Sequence, residues 1–128
     1  MRHERHYTLE QAAAAMDWVA QRVSRVRAAN QRLVELGPRV GEGLAALDGR
    51  SGGSYPGAEV ARPLVELNRA LGELEAVDVV LRDVQRGLID FPSMREGAEV
   101  YLCWLVDDED KIAFWHAPDA GFAGRRPL

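Results

Sequence analysis

The residues most able to do chemistry lie near the carboxyl end, in "GLIDFPSMREGAEVYLCWLVDDEDKIAFWHAPDAGFAGRRPL". Asp90, Glu99 and His116 stand there among β-branched and aromatic residues, where an unpaired charge is expensive. Two carboxylates facing each other across a β-ladder lie about 5 Å apart, and at an effective dielectric near 20 they repel by about 3 kcal/mol. A shared proton would offset that, as would a divalent cation held together with His116, or an arginine folded back from "GFAGRRPL". Proton sharing makes the trio acid/base catalysts, with Tyr101 as a hydrogen-bonding neighbour of His116. Coordination makes it a metal site, because carboxylate and imidazole suit hard and borderline ions, although no compact spacing such as HExxH supports it. The arginine solution makes the group structural.

The tail offers a second, weaker chemistry. Gly121 and Gly124 let backbone donors approach an anion, and Arg125 or Arg126 would stand beside it. The strand, helix and lysine of a phosphate loop are missing. Cys103 falls in mid-strand between bulky residues and reads as a buried, inert thiol.

Strands must position these groups. After Gly87 the apolar period changes from 3.6 to 2, giving strands Leu88 to Phe91, Ala98 to Val106 and Lys111 to His116, joined by "PSMREG" and "DDED". That register sets Asp90 against Glu99, Phe91 against Ala98, Val106 against Lys111, Leu105 against Ile112, Cys103 against Phe114 and Tyr101 against His116. One face then carries Ile89, Phe91, Val100, Leu102, Trp104, Val106, Ala113 and Trp115. The other carries Leu88, Asp90, Glu99, Tyr101, Cys103, Leu105, Ile112, Phe114 and His116. A slip of one residue would scatter the ionisable groups. The apolar part of the second face needs a cover, either the tail through Phe122 or a second subunit, and a symmetric dimer is the economical arrangement.

Helices come first along the chain. Thr8 and Gln11 form a capping-box pair that opens a helix over residues 8–36. Its seam repeats every seven residues at Leu9, Met16, Val23 and Asn30, with Ala12, Val19, Val26 and Leu33 between them. Residues 37–57 hold seven of the 12 glycines and read as a linker, with a short helical turn at Val40, Leu44 and Leu47 and weak order around Gly52 and Gly53. A second helix is expected over 58–86, with Pro63 in its first turn, Val60, Leu64, Leu67, Leu71, Leu74 and Leu81 as its stripe, and Gly87 closing it. Asn30 and Asp78 are the polar exceptions in the two seams. The turn-rich tail fills 117–128.

Composition bounds the rest. The 128 residues fit one domain, and 47% hydrophobic with 28% charged residues are ordinary for a globular chain. Fifteen of the 16 cations are arginine, and the net charge of −4 arises wholly in residues 88–128, which argues against nucleic-acid binding there. One cysteine forbids an internal disulfide, "MRHERHYTLEQ" lacks a signal-peptide core, and no apolar run reaches membrane-spanning length. A cytoplasmic protein without a membrane span is the expectation.

The run "GLIDFPSMREGAEVYLCW" through "IAFWHAPDAGFAGRRPL", with the opening "YTLEQAAAAMDWV", resembles an uncharacterised bacterial family, the domain of unknown function 2203. The segment "GPRVGEGLAALDGRSGGSYPG" is not part of the likeness. The resemblance implies this arrangement of parts and no activity, cofactor or catalytic residue. Ala117 follows the histidine where the resemblance implies an acidic residue, which weakens any site needing a carboxylate there.

The expected fold is α+β, a long antiparallel helical hairpin packed on a three-stranded antiparallel β-meander. The leading functional expectation is a non-enzymatic interaction or assembly module, homodimeric, with no required cofactor. Its rivals are a metal-dependent or acid/base enzyme using Asp90, Glu99 and His116, and a binder of small anions through the Gly/Arg tail.

Overall fold

A computed structural model describes residues 1–37 and 57–128, so the expectations for Val40, Leu44, Leu47, Gly52 and Gly53 lie outside the described residues. Helix α1 spans Leu9–Glu35 and helix α2 spans Ala58–Ala76. The capping box forms as expected: Gln11 N–H donates to Thr8 Oγ1 at 3.1 Å, and Thr8 N–H donates to Gln11 Oε1 at 2.9 Å. Arg22 near the middle of α1 pairs with Glu73 late in α2, while Arg32 and Ala29 late in α1 border Pro63 early in α2, so the two helices run antiparallel.

The second helix is ten residues shorter than the expected span of 58–86. Asp78 adopts φ 61°, a left-handed conformation that stops the helix, and the valine-rich stretch beyond it turns into strand β1, Val80–Asp83. Gly87, at φ 65°, serves the turn into strand β2 and does not close a helix. Leu81 mimicked the helical stripe because residue 81 lies seven beyond Leu74, yet it packs on the core from β1.

Among the described residues five strands, not three, form one antiparallel sheet in the order β1-β2-β3-β4-β5. Strand β2 is Leu88–Arg95, β3 is Ala98–Leu105, β4 is Phe114–His116 and β5 is Arg126–Pro127. "PSMREG" is therefore mostly strand. Its Pro92 is tolerated because its backbone points past the end of β1, where its carbonyl accepts the Tyr7 N–H at 2.7 Å. The hairpin turns on Glu96 and Gly97 alone, at φ 52° and 80°, the left-handed pair that a two-residue type I′ turn requires.

That tighter turn moves the register. Asp90 opposes Cys103, and Glu99 opposes Met94. The expected pairing of Asp90 with Glu99 is displaced by four residues, an even number, so the side chains of β2 and β3 keep their faces. Between β3 and β4 the expected pairs Tyr101 with His116 and Cys103 with Phe114 both form.

The pairs Val106 with Lys111 and Leu105 with Ile112 do not form. The acidic turn folds back on β3, where the Glu109 carbonyl accepts Trp104 Nε1–H at 2.7 Å and its carboxylate accepts Leu105 N–H at 2.8 Å. Ile112 is thereby carried into the helix-side core. There Ala12, Val19 and Val23 of α1 and Leu74 of α2 close on Ile89, Phe91, Leu102 and Trp104 of the sheet, the face expected to meet the helices. Burying each Ile, Leu or Phe side chain contributes about 1.5–3 kcal/mol. On the opposite face Phe122 packs against Leu88, Cys103 and Leu105, so the tail provides the cover.

Candidate functional site

The outer face of the sheet carries a buried polar centre. Asp90 on β2 and His116 on β4 are each 2% exposed, and His116 Nε2 lies 3.0 Å from both Asp90 carboxylate oxygens. His116 Nδ1 lies 2.8 Å from the Ala117 carbonyl, which accepts only, so Nδ1 carries hydrogen and Nε2 is the atom turned to Asp90. Cys103 stands between them on β3, 1% exposed. The ligand-type atoms of Asp90, Cys103 and His116 all lie within 4.8 Å of one another.

An arginine does neutralise Asp90, but it comes from the other end of the sheet. Arg82 Nε donates to Asp90 Oδ2 at 2.9 Å. The ladder between β1 and β2 shifts register between Leu81 and Asp83, and Arg82 is the extra residue of that bulge, a feature that re-aims a side chain. Its guanidinium also lies over the Tyr101 ring, 4.9 Å from the centroid, and its side chain is 42% exposed. The Nη donors of Arg82 have no hydrogen-bond partner among the described residues.

The two tail arginines have other tasks. Arg125 pairs with Glu109 at 3.1 Å, and its guanidinium lies over Phe114 and Phe122, 4.0 and 4.4 Å from their centroids. Arg126 is exposed and faces Trp115. Gly124 sits where an added Cβ would come 2.8 Å from that of Ala120, so its need is steric. Of the four tail residues expected to bind an anion, Gly121 alone lines the cleft above Asp90 and His116. That cleft encloses about 300 Å³, with Arg2, Arg82 and the 118–122 segment as its walls. A wider groove of about 620 Å³ between the helices, lined by Arg25, Arg32 and Arg62 among others, has no buried ionisable group among the described residues.

Glu99 does not join the centre. Although it shares the face, it lies further along β3 and holds the N-terminal segment: its oxygens accept Arg2 N–H at 2.9 Å and His3 N–H at 3.1 Å, and His6 Nε2 lies 2.8 Å away. Burial opposes its ionisation, but the His6 contact and the two N–H donors outweigh burial and bring the carboxyl down to about 2. Tyr101 is drawn the same way. Its hydroxyl lies 2.7 Å from His3 Nε2, so it does not bond His116, although the two rings sit 5.4 Å apart. Asp78, placed by its period in a helical seam, also belongs to this latch, with His3 Nδ1 at 3.3 Å and the Arg5 N–H at 3.3 Å.

Burial pushes the Cys103 thiol up to about 12, the Asp90 charge adds to the rise, and Arg125 partly opposes it. The thiol is protonated in this form and is no nucleophile. Arg82, Cys103 as a partner of Asp90, and the N-terminal histidines are the residues sequence reasoning missed. The β-branched residues Val77, Val79 and Val80 were the available signal for a strand ahead of Arg82, masked by the leucine stripe. For His3 and His6 the signal was only their number in "MRHERHY".

Among the described residues no helix is long and apolar enough to cross a membrane. Searches of curated proteins and of solved structures found no match. A family model described as an uncharacterized conserved protein, DUF2203, matches residues 5–128, nearly the whole chain, and the protein belongs to that family.

Proposed function

We propose that the protein binds a small molecule carrying a carboxylate or phosphate in the cleft above Asp90 and His116. The observation that carries this reading is the state of Arg82. One of its nitrogens is fixed by a buried carboxylate, its Nη donors have no hydrogen-bond partner among the described residues, and its side chain lines the cleft, a combination suited to an anionic oxygen pair. Arg2 also lines the cleft and adds a second cation, set against the Asp119 carboxylate that lines it too. His116 and Asp90 at the floor can exchange a proton with a bound group, which gives the acid/base reading a place without requiring Glu99.

Nitrogen-15 NMR with a panel of small carboxylates and phosphates tests the reading. Binding should shift the Arg82, Gly121 and His116 signals, and Arg82→Ala should weaken it at least about tenfold, in keeping with loss of a charge-assisted contact. No shift at these positions with any compound overturns it.

The assembly reading keeps one specific support. Leu64, Val65 and Leu71 on α2 are 44%, 53% and 37% exposed. Light scattering across a concentration series should then give the mass of two chains, reduced to one by Leu64→Glu with Leu71→Glu. A strict monomer at every concentration defeats it.

A further inference from the structure

The arrangement of β2, β3 and β4 brings an oxygen, a sulfur and a nitrogen donor to one buried point. Asp90 and Cys103 are direct cross-strand partners, and Cys103 adjoins β4, where His116 lies two residues beyond Phe114 on the same face. We propose that Asp90, Cys103 and His116 form a mononuclear site for a borderline, thiophilic divalent cation of the zinc class, with a fourth coordination position opening on the cleft. The metal site expected from the amino-acid pattern used Glu99; the geometry replaces it with the thiol.

Three observations carry this. First, tetrahedral zinc with bonds of about 2.0–2.3 Å needs donor atoms about 3.3–3.6 Å apart, within side-chain adjustment of a triad whose atoms all lie inside 4.8 Å. Second, His116 directs Nδ1–H to the Ala117 carbonyl, the outer contact that fixes a metal-binding imidazole and leaves Nε2 to the ion. Third, Arg82 holds Asp90 Oδ2 and so orients the carboxylate, while Oδ1 and His116 Nε2 face each other at 3.0 Å, the contact that an ion between them would replace. A mixed sulfur, nitrogen and oxygen set disfavours magnesium and calcium, which take oxygen ligands.

Coordination requires the thiolate, so the Cys103 proton, and any hydrogen on Nε2, leave to solvent through the cleft as the ion enters. Zinc, aspartate, thiolate and the Arg82 cation then sum to one positive charge. That charge suits an anionic fourth ligand, so the open position rests on the reading of the cleft given above, while the three protein ligands do not.

Cobalt(II), which reports thiolate ligation by colour, tests the site. Metal-stripped, reduced protein titrated with cobalt should bind one equivalent, with a near-ultraviolet thiolate-to-cobalt band and the intense visible bands of four-coordination, all abolished by zinc. Cys103→Ser should remove the charge-transfer band and weaken binding at least tenfold. A weak six-coordinate spectrum unaffected by Cys103→Ser overturns the proposal. If the variant does not fold, X-ray absorption on the zinc-loaded native chain decides. The chain has one cysteine, so a single sulfur neighbour near 2.3 Å identifies Cys103, and a shell of nitrogen and oxygen alone overturns the site. Anions that bind metal-free protein through Arg82, without any cobalt band, sink the metal inference and leave the cleft reading standing. A cobalt band that no anion perturbs, with no Arg82-dependent anion binding, does the reverse.

Discussion

The outer face of the sheet pairs a carboxylate with a histidine twice, at its two ends, for opposite purposes. Glu99 and His6 meet at 2.8 Å, as Asp90 and His116 meet at 3.0 Å. The remaining contacts of Glu99 are N–H groups of Arg2 and His3, so its lone pairs are consumed by the chain's own backbone and the pair acts as a fastener. Asp90 is instead held by one nitrogen of Arg82 beneath a cleft, with a thiol beside it. A carboxylate beside a histidine is therefore not a site by type. What separates the two ends is whether the remaining donors close on the protein or open outward.

Breaking the buried end should have the largest effect. Asp90→Ala removes the buried carboxylate that Arg82 Nε and His116 Nε2 both face, and removing one member of a buried charged group costs about 3–5 kcal/mol. Urea unfolding measures it; a loss below about 1 kcal/mol would mean that the centre relaxes or hydrates as easily as a surface pair. Glu99→Gln should cost less, about 1–3 kcal/mol, because it keeps one acceptor for the strap and loses the charge. Faster hydrogen exchange at the Arg2 and His3 amides, with no change at Cys103, would show that the strap alone was released.

Acid sharpens the same contrast. The Glu99 carboxyl is lowered from 4.5 to about 2 in the fold, so the unfolded chain takes up its proton first. Its contribution is fully present above about 4.5 and is lost as the pH falls through about 2. Stability measured against pH should fall along that limb in the native chain, and the limb should flatten in Glu99→Gln. An identical limb in both would assign the acid sensitivity elsewhere.

Much of this was legible in the residues, because face alternation survives errors that register does not. The choice of "PSMREG" as a loop misplaced Glu99 by four positions, yet Asp90, Cys103, Tyr101 and His116 stayed on one face because four is even. The capping box at Thr8 was readable because it depends on contacts three residues apart. Arg82 was not, since a leucine stripe carried the helical period through Leu81 while a left-handed Asp78 had already ended the helix. Nor was the partnership of Glu99 with the N-terminal strap, a contact across more than 90 residues that no local pattern encodes.

The smallest effect concerns the turn beside the Glu99 end, which joins β2 to β3. Glu96 holds φ 52° without being glycine, asparagine or aspartate, and the left-handed conformation costs an ordinary residue about 1–2 kcal/mol. Asparagine visits that region more readily and suits the first position of a type I′ turn before Gly97, so Glu96→Asn should stabilise the fold by about 0.5 kcal/mol. The hairpin fixes which residue opposes Asp90, so the substitution should raise the urea midpoint while leaving cobalt or anion binding at the Asp90 end unchanged. A shift in binding would show that the register between β2 and β3 is not settled by its ladder alone, and that the turn still selects whether Cys103 or Glu99 faces Asp90.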